Sequence, residues 1–102
     1  MASRRAPEVD GDLDGIWYYL VKESGSIEIA DRQIDRITEA FYLLSTHPHL
    51  GRRRDEDLRS GLRSFTVGNY IILYRIDGED ALILYVMDGR RDIPALIGDR
   101  QK

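Results

Sequence analysis

The residues best suited to chemistry are concentrated in the stretch THPHLGRRRDEDLRSGLRSF, which spans residues 46–65 and contains two histidines and five arginines. Histidine transfers protons or binds metals near neutral pH, and the arginine guanidinium binds carboxylate or phosphate groups through two parallel hydrogen bonds. The stretch could therefore be a catalytic loop, a patch that contacts nucleic acid, or a solvated connection with a few anchored residues.

Two patterns approach a metal site without completing one. His47 and His49 lie two residues apart and need a third ligand from elsewhere, whereas Pro48 explains the same segment more simply as a helix stop. The segment DGDLDG, residues 10–15, matches part of a calcium loop, but Val21 occupies the position that requires a bidentate glutamate. We therefore read these aspartates as the solvated first turn of a helix, and we expect no metal and no cofactor.

The common nucleophile and phosphate-binding patterns are also missing from the sequence. There is no cysteine, no serine lies in a G-x-S-x-G setting, and there is no G-x-x-x-x-G-K loop. These patterns therefore give no catalytic residue.

Net charge argues against a protein that holds nucleic acid through phosphate contacts alone. The formal net charge is -3 at pH 7, whereas such binding relies on a net basic face. Arginine is nevertheless concentrated in residues 52–63 and at Arg75, Arg90 and Arg91. A local basic patch that binds an acidic partner is one reading of this distribution, and an ordinary solvated face is the other.

Length and the pattern of apolar residues indicate one domain over residues 1–102 in the cytoplasm. No apolar run reaches the roughly 18 to 20 residues of a membrane span, and the polar start MASRRAPEVD lacks the apolar core of a signal peptide. The absence of cysteine fits a reducing compartment. We expect no contact with a membrane.

Apolar spacing predicts two amphipathic helices. The first should run from about Glu8 to Lys22, and the second should begin after an N-cap at Ser26 and end near Thr46. The apolar positions of the two stripes are Leu13, Ile16, Trp17, Leu20 and Val21, then Ala30, Ile34, Ile37, Phe41 and Leu44. The short link between them favours an antiparallel hairpin whose stripes cover one common surface.

The second half of the chain predicts that surface. The segments LRSFTV, YIILYRI and ALILYVM are rich in β-branched and aromatic residues and are separated by the hairpin signals GN and DGED. The last two are apolar at nearly every position, so we expect both of their faces to be covered. ASRRA could add a short edge strand, and IPALI a short terminal helix or a tail. The predicted fold is α+β, a helix hairpin packed on an antiparallel three- to four-stranded sheet.

In chain order, DLDGIWYYL, the segment from ADRQIDRITEAFYLL to VGNYIILYRI, and ILYVMDGRRDIPALI resemble the ParE branch of the RelE/ParE toxin superfamily. The resemblance covers about residues 8–97, and its most specific parts are HPHLG, the LRSF and VGNY strand pair, and GRRD. It implies that the stretch 46–65 connects the hairpin to the sheet, with Leu50 and Gly51 structural. It also implies a toxin of a bacterial toxin–antitoxin pair, neutralised by a ParD-like antitoxin encoded alongside it.

Within this superfamily the resemblance distinguishes two activities, since RelE-type members cut mRNA on the ribosome and ParE-type members are associated with poisoning DNA gyrase. The RelE branch carries an arginine after the tyrosine that corresponds to Tyr70, lysines in the preceding strand, and a tyrosine near the C-terminus. The corresponding residues here are Ile71, then Leu62 and Ser64, then Ile97. Only Arg91 matches a RelE-type basic position. The resemblance therefore implies a toxin that binds gyrase, with no catalytic residue and no direct sequence-specific nucleic-acid binding.

Four arginines are the predicted target-binding residues, through charge-assisted contacts with an acidic protein or phosphate surface: Arg63, Arg75, Arg90 and Arg91. For Arg63 and Arg75 the alternative is pairing within the fold. Asp88 stands where many relatives have histidine, which alters the charge beside Arg90 and Arg91.

The resemblance also implies how the antitoxin binds. We expect a disordered segment that becomes helical over the groove between hairpin and sheet. Trp17, Tyr18 and Tyr19 on the first helix are the predicted contacts. The polar start departs from the clear alternating strand of relatives, so the first strand could be ragged or paired by the partner.

Two alternatives to a gyrase poison stay open. One is a ribosome-dependent mRNA endoribonuclease of RelE type that uses Arg91 and other arginines in an unfamiliar arrangement. The other is an inactive toxin-derived binding module or repressor component.

Overall fold

The computed structural model describes residues 3–100, with side chains described as far as Ile97. The elements in chain order are β1 (Ser3–Arg5), α1 (Pro7–Ser24), α2 (Ile27–Thr46), a 3-10 turn (Pro48–Leu50), β2 (Arg52–Arg53), β3 (Arg63–Val67), β4 (Tyr70–Asp77), β5 (Asp80–Asp88) and α3 (Ile93–Arg100). No helix in this part of the chain is long and apolar enough to cross a bilayer.

The two predicted helices are confirmed, and local chemistry sets their ends. Pro7 opens α1, where its missing N–H costs nothing, and Gly25 closes it in a left-handed conformation with a φ of 69°. The hydroxyl of Ser26 accepts a hydrogen bond from the N–H of Ile29 and so caps α2. At the other end of α2, Pro48 begins the 3-10 turn.

The sheet has the strand order β1-β5-β4-β3-β2. The pairs β3–β4 and β4–β5 are antiparallel, as predicted, and β2 pairs antiparallel with β3. In contrast, β1 pairs with β5 in parallel, with Ser3–Arg5 opposite Ala81–Ile83. The sheet is therefore mixed and five-stranded rather than antiparallel with three or four strands. The short edge strand suggested in ASRRA is present as β1, and β2 is the additional strand. These edge strands are only three and two residues long, too short to carry a pattern of alternation.

The helix hairpin covers one face of this sheet and forms the larger core. Alternate residues of β4, namely Tyr70, Ile72 and Tyr74, point toward the helices. The buried residues of this cluster are Val9, Leu13, Ile37, Ala40, Phe41, Leu44, Tyr70, Ile72, Tyr74, Ala81, Ile83 and Val86.

The opposite face of the sheet carries a second, smaller core, which confirms that both faces of the central strands are covered. Its buried residues are Leu62, Ile71, Leu73, Tyr85, Ile93 and Ile97. The last two place IPALI in a helix, α3, that packs on this face. A one-residue register shift between β4 and β5 leaves Leu84 as the extra residue of a bulge, so that both Leu84 and Tyr85 contact the second core.

Candidate functional site

An open groove of about 640 Å³ lies between α1, the end of the sheet and α3. This volume is within the range of about 300 to 1,000 Å³ that is typical of binding sites. Its apolar and aromatic lining is Ile16, Tyr19, Tyr70, Val86, Met87 and Leu96. Its remaining lining is Gly11, Gly15, Asp12, Asp88, Arg90 and Arg91.

Helix α1 forms one wall of the groove through residues that share one helical face. Gly11 and Gly15 are one turn apart, and a methyl group added at either would meet nothing within 4 Å. Asp12 lies between them, and its Oδ2 accepts a hydrogen bond of 3.0 Å from the N–H of Val86 on β5. Asp12 is therefore a half-buried link between helix and sheet, and its assignment to a solvated first turn was wrong.

Asp88, the last residue of β5, stabilises the turn that lines the groove. Its Oδ1 accepts hydrogen bonds from the backbone N–H of Arg90 at 2.9 Å and from Nε of Arg90 at 3.0 Å. Its Oδ2 accepts a hydrogen bond of 2.7 Å from Nη2 of Arg90. The Arg90 side chain, followed by its backbone N–H, lowers the pKa of Asp88 to about 2. The Asp88 carboxylate in turn raises the pKa of Arg90.

Arg91 and Tyr70 lie next to Asp88 and line the same groove. The backbone N–H of Arg91 donates to the carbonyl oxygen of Asp88 at 3.1 Å. The Arg91 side chain is exposed, and its guanidinium donates no hydrogen bond to a residue that the structure describes. Tyr70 stands opposite Asp88 in the sheet register. Burial, followed by the Asp88 charge, raises the pKa of the Tyr70 hydroxyl. The groove thus has an apolar floor and, at its rim, the exposed Arg91 guanidinium, which makes no hydrogen bond with the part of the chain that the structure describes.

The four predicted target-binding arginines do not form one patch. Arg63 stands opposite Tyr74, four residues along β4 from Tyr70, or about 13 Å at strand spacing. Its Nη1 donates to the carbonyl oxygens of Gly51 at 2.8 Å and of His49 at 3.3 Å. Pairing within the fold, the alternative for Arg63, is therefore what the structure shows for this side chain.

Arg75 lies in a different place from both Arg63 and the groove. It follows Tyr74 on β4, so strand alternation turns it to the sheet face opposite the α1–α2 hairpin. The side chain is exposed, and its neighbour across the strands is Leu82. Only Arg90 and Arg91 of the four arginines line the groove.

The three predicted antitoxin contacts also point in different directions, because consecutive residues of a helix are rotated by about 100°. Trp17 faces α2, where its Nε1 donates a hydrogen bond of 2.8 Å to Asp31. Tyr18 faces solvent with 62% of its surface exposed, and the Nζ of Lys22 lies 5.4 Å from its ring centroid. Tyr19 alone lines the groove.

The arginine-rich stretch 46–65 is an anchored connection between α2 and the sheet. The hydroxyl of Tyr74 accepts the Gly51 N–H at 2.8 Å and donates to the carbonyl oxygen of Pro48 at 2.7 Å. A Cβ at residue 51 would lie 2.4 Å from that hydroxyl oxygen, so the space admits only glycine. Leu50, which was also expected to be structural, is instead 50% exposed.

The two histidines of this stretch are exposed and lie in different local contacts. Nδ1 of His47 lies 2.9 Å from Oγ1 of Thr46, whereas His49 lies against Arg63. The described part of the chain contains no group of three or more histidine or carboxylate side chains placed to hold a metal ion.

Of the positions that the resemblance compares with RelE-type catalytic residues, Arg91 lines the groove, whereas the other four lie on the sheet face that carries the second core. Leu62, Ile71 and Ile97 are packed in the second core, each less than 9% exposed. Ser64 is buried beside them, and its Oγ accepts a hydrogen bond of 3.0 Å from Arg54.

Comparison with known proteins identifies the family. Residues 4–93 match the family model described as the ParE toxin of the type II toxin–antitoxin system parDE. Toxin ParE3 from Caulobacter vibrioides is 42% identical over 96 residues, covering 94% of each chain. Toxin RelE3 from the same organism is 33% identical over 70 residues, covering 69% of this chain and 74% of the relative.

A solved structure described as the chromosomal ParDE TA system from P. aeruginosa superposes with a TM-score of 0.74. It shares 23% sequence identity and covers 86% of this chain and 95% of its own, which shows a common fold. The helix hairpin on a five-stranded sheet is thus a fold that this chain shares with that structure. The chain belongs to the ParE toxin family of type II toxin–antitoxin systems.

Sequence reasoning missed part of the groove, above all Gly11, Asp12, Gly15 and Leu96. The first three share one helical face with Ile16 and Tyr19, and that spacing was available in the sequence. The surface that faces these residues could not be found from the sequence, because it is the end of β5, Val86 to Asp88, which only the fold brings against α1.

Proposed function

We propose that this toxin arrests growth in the cytoplasm by binding and poisoning DNA gyrase, and that it does not cut RNA. The observation that carries the proposal is the burial of Leu62, Ile71 and Ile97 in the second core. A nuclease of RelE type needs side chains there that transfer protons or balance phosphate charge in contact with solvent and RNA. Packed apolar side chains supply neither, so the toxin acts by binding.

Exposed cations provide the contacts with the target in this proposal. Arg75 and Arg91 are exposed on different parts of the surface, whereas Arg63 and Arg90 are already bonded within the chain. Charge-assisted hydrogen bonds from the exposed pair to carboxylate or phosphate groups of the gyrase–DNA complex would favour the DNA-cleaved state of the enzyme.

A ParD-like antitoxin neutralises the toxin by covering the groove. Ile16, Tyr19 and Leu96 offer an apolar surface for a helical segment, and Arg91 at the rim offers a cation for an acidic residue. The open space over Gly11 and Gly15 allows such a segment to approach the backbone of α1 closely. Binding here would cover Arg91, which gives one physical route from antitoxin binding to neutralisation.

A RelE-type nuclease is the second candidate, because the similarity to Toxin RelE3 extends over 70 residues. In that case Arg91 would be the basic residue at the scissile phosphate. The two candidates differ in what they damage, which makes them separable in cells.

Induction of the chain in a bacterial host, with and without the antitoxin encoded beside it, tests the proposal. We expect growth arrest that the antitoxin reverses, broken chromosomal DNA, and transcripts whose ends are unchanged. Codon-phased cuts within translated messages would instead establish the nuclease. Normal growth in the absence of antitoxin would contradict both candidates and support the remaining alternative, an inactive binding module.

A further inference from the structure

We propose that Asp88 gives two adjacent arginines different roles, neutralising Arg90 in place and leaving Arg91 as the cation available to an acidic partner group. This inference rests on the proposed function only for the identity of the partner. It replaces the expectation that Arg90 and Arg91 contact the target together.

The first step is that Asp88 occupies the guanidinium N–H groups with which Arg90 would otherwise bind a carboxylate of a partner. Arginine binds a carboxylate bidentately through neighbouring N–H groups of its guanidinium. Nε and Nη2 of Arg90 both donate to Asp88, at 3.0 and 2.7 Å, and the backbone N–H of Arg90 adds a third bond at 2.9 Å. The Asp88 side chain is only 20% exposed and the Arg90 side chain 74% exposed, so the arginine folds onto a carboxylate that the strand end holds in place.

The second step is that Arg91 lines the same groove as Arg90, but its side chain does not donate a hydrogen bond to Asp88. A backbone hydrogen bond of 3.1 Å to the Asp88 carbonyl oxygen fixes the turn that carries Arg91. Its side chain lines the same groove and is exposed. The other carboxylate of the groove, Asp12, is bonded through Oδ2 to Val86 on β5. An incoming carboxylate therefore meets the exposed guanidinium of Arg91, whose N–H groups donate to no residue that the structure describes.

The third step concerns what happens when Arg90 is removed. Arg91 already contributes to the electrostatic environment of Asp88, though less than Arg90 does. Without Arg90, the Asp88 carboxylate would attract the Arg91 guanidinium. Arg91 would then bind an acidic group of a partner less strongly. Removing both members of the Asp88–Arg90 pair leaves Arg91 as exposed as before.

The test compares full-length Arg91→Gln, Arg90→Gln and the double variant Asp88→Asn/Arg90→Gln with the unmodified chain. The readouts are the concentration that half-inhibits supercoiling by purified gyrase and growth arrest on induction. We expect Arg91→Gln and Arg90→Gln each to weaken both effects about tenfold, as for the loss of one charge-assisted contact. The double variant should return to within about threefold of the unmodified chain. A double variant as weak as Arg90→Gln would overturn the inference, because Arg90 itself would then touch the partner.

A structural readout decides the inference separately from the proposed function. Nitrogen-15 NMR of the arginine side chains at pH 7 should show a sharp, slowly exchanging Nε–H for Arg90 and a rapidly exchanging one for Arg91. The Asp88→Asn substitution should make the two alike. Equal protection of both in the unmodified chain would contradict the inference. If the unmodified chain neither inhibits gyrase nor arrests growth, the proposed function fails while this spectrum still decides how the two arginines differ.

Discussion

The N–H of Gly51 donates a hydrogen bond of 2.8 Å to the hydroxyl of Tyr74, at a point where the chain comes too close to the ring for any side chain at residue 51. The same hydroxyl donates to the carbonyl oxygen of Pro48. Burial raises the pKa of this hydroxyl, so it remains protonated and can serve as donor and acceptor together. One buried tyrosine thus fixes the segment that follows α2 to the sheet, with Gly51 and Tyr74 23 residues apart in the sequence.

Gly51→Ala is expected to destabilise the fold by about 1 to 3 kcal/mol, the usual cost of overpacking. The added Cβ would lie 2.4 Å from the Tyr74 hydroxyl and 2.9 Å from the Ser64 carbonyl oxygen. The matched control is Gly15→Ala in α1, where nothing lies within 4 Å of the new methyl group. That change should stabilise the chain by about 0.5 to 1 kcal/mol through helix propensity. Urea unfolding of both variants measures the difference, and equal stabilities would show that the contact at residue 51 relaxes without cost.

Tyr19→Ala should weaken binding of the antitoxin about tenfold or more, since a buried aromatic contact is a common centre of binding energy. Tyr18→Ala is the control, because this ring adjoins Tyr19 in sequence but lies against Lys22 and faces solvent. Calorimetric titration with the antitoxin cloned from the adjacent reading frame gives both affinities. A larger loss of affinity for Tyr18→Ala than for Tyr19→Ala would contradict this placement and show that the antitoxin binds the outer side of the hairpin.

Ile97→Ala should reduce the free energy of unfolding by about 2 to 5 kcal/mol, because Ile97 is 5% exposed and packs in the second core. Leu96 is the neighbouring control on the same helix. It is half-buried and lines the groove, so Leu96→Ala should cost less stability but weaken antitoxin binding. Thermal unfolding together with a binding titration separates the two effects. Comparable stability losses would indicate that α3 lies differently on the sheet.

The Asp88–Arg90 pair predicts a specific dependence of stability on pH. The pKa of Asp88 falls from 3.8 to about 2 on folding. A carboxylate with a lowered pKa stabilises the fold fully above its ordinary pKa and loses that contribution as the pH falls from about 4 to about 2. Carbon-13 NMR of the carboxyl group should titrate with a midpoint near 2, and Asp88→Asn should remove this part of the acid transition. A midpoint near 3.8 would show that the pair does not persist in solution.

Most of the fold was accessible from the sequence because it depends on local patterns. The spacing of apolar residues located α1 and α2, and β-branched segments located β3, β4 and β5. The parallel pairing of β1 was not accessible, since three residues at a sheet edge have no pattern of their own and their partner is about 80 residues away in the chain. β2 was not accessible either, since its two residues are also too few to carry a pattern.

The site was less accessible, because residue type alone does not reveal how a charge is matched. Arg63, Arg90 and Arg91 look equivalent in the sequence. In the fold, Arg63 bonds carbonyl oxygens of the connection, Arg90 bonds Asp88, and Arg91 remains exposed. The distinction depends on which acceptors the turn and the strand register bring within about 3 Å, and these become defined only in the folded chain.

Supercoiling of relaxed plasmid by purified gyrase, with linear DNA scored after protein removal, tests the central claim most directly. Over a concentration series of the toxin we expect inhibition with trapped linear product, weakened about tenfold by Arg91→Gln. Arg36→Gln on the exposed side of α2 is the matched control and should behave as the unmodified chain does. Undisturbed supercoiling at concentrations that stop growth would contradict the claim, and the target would then lie outside gyrase.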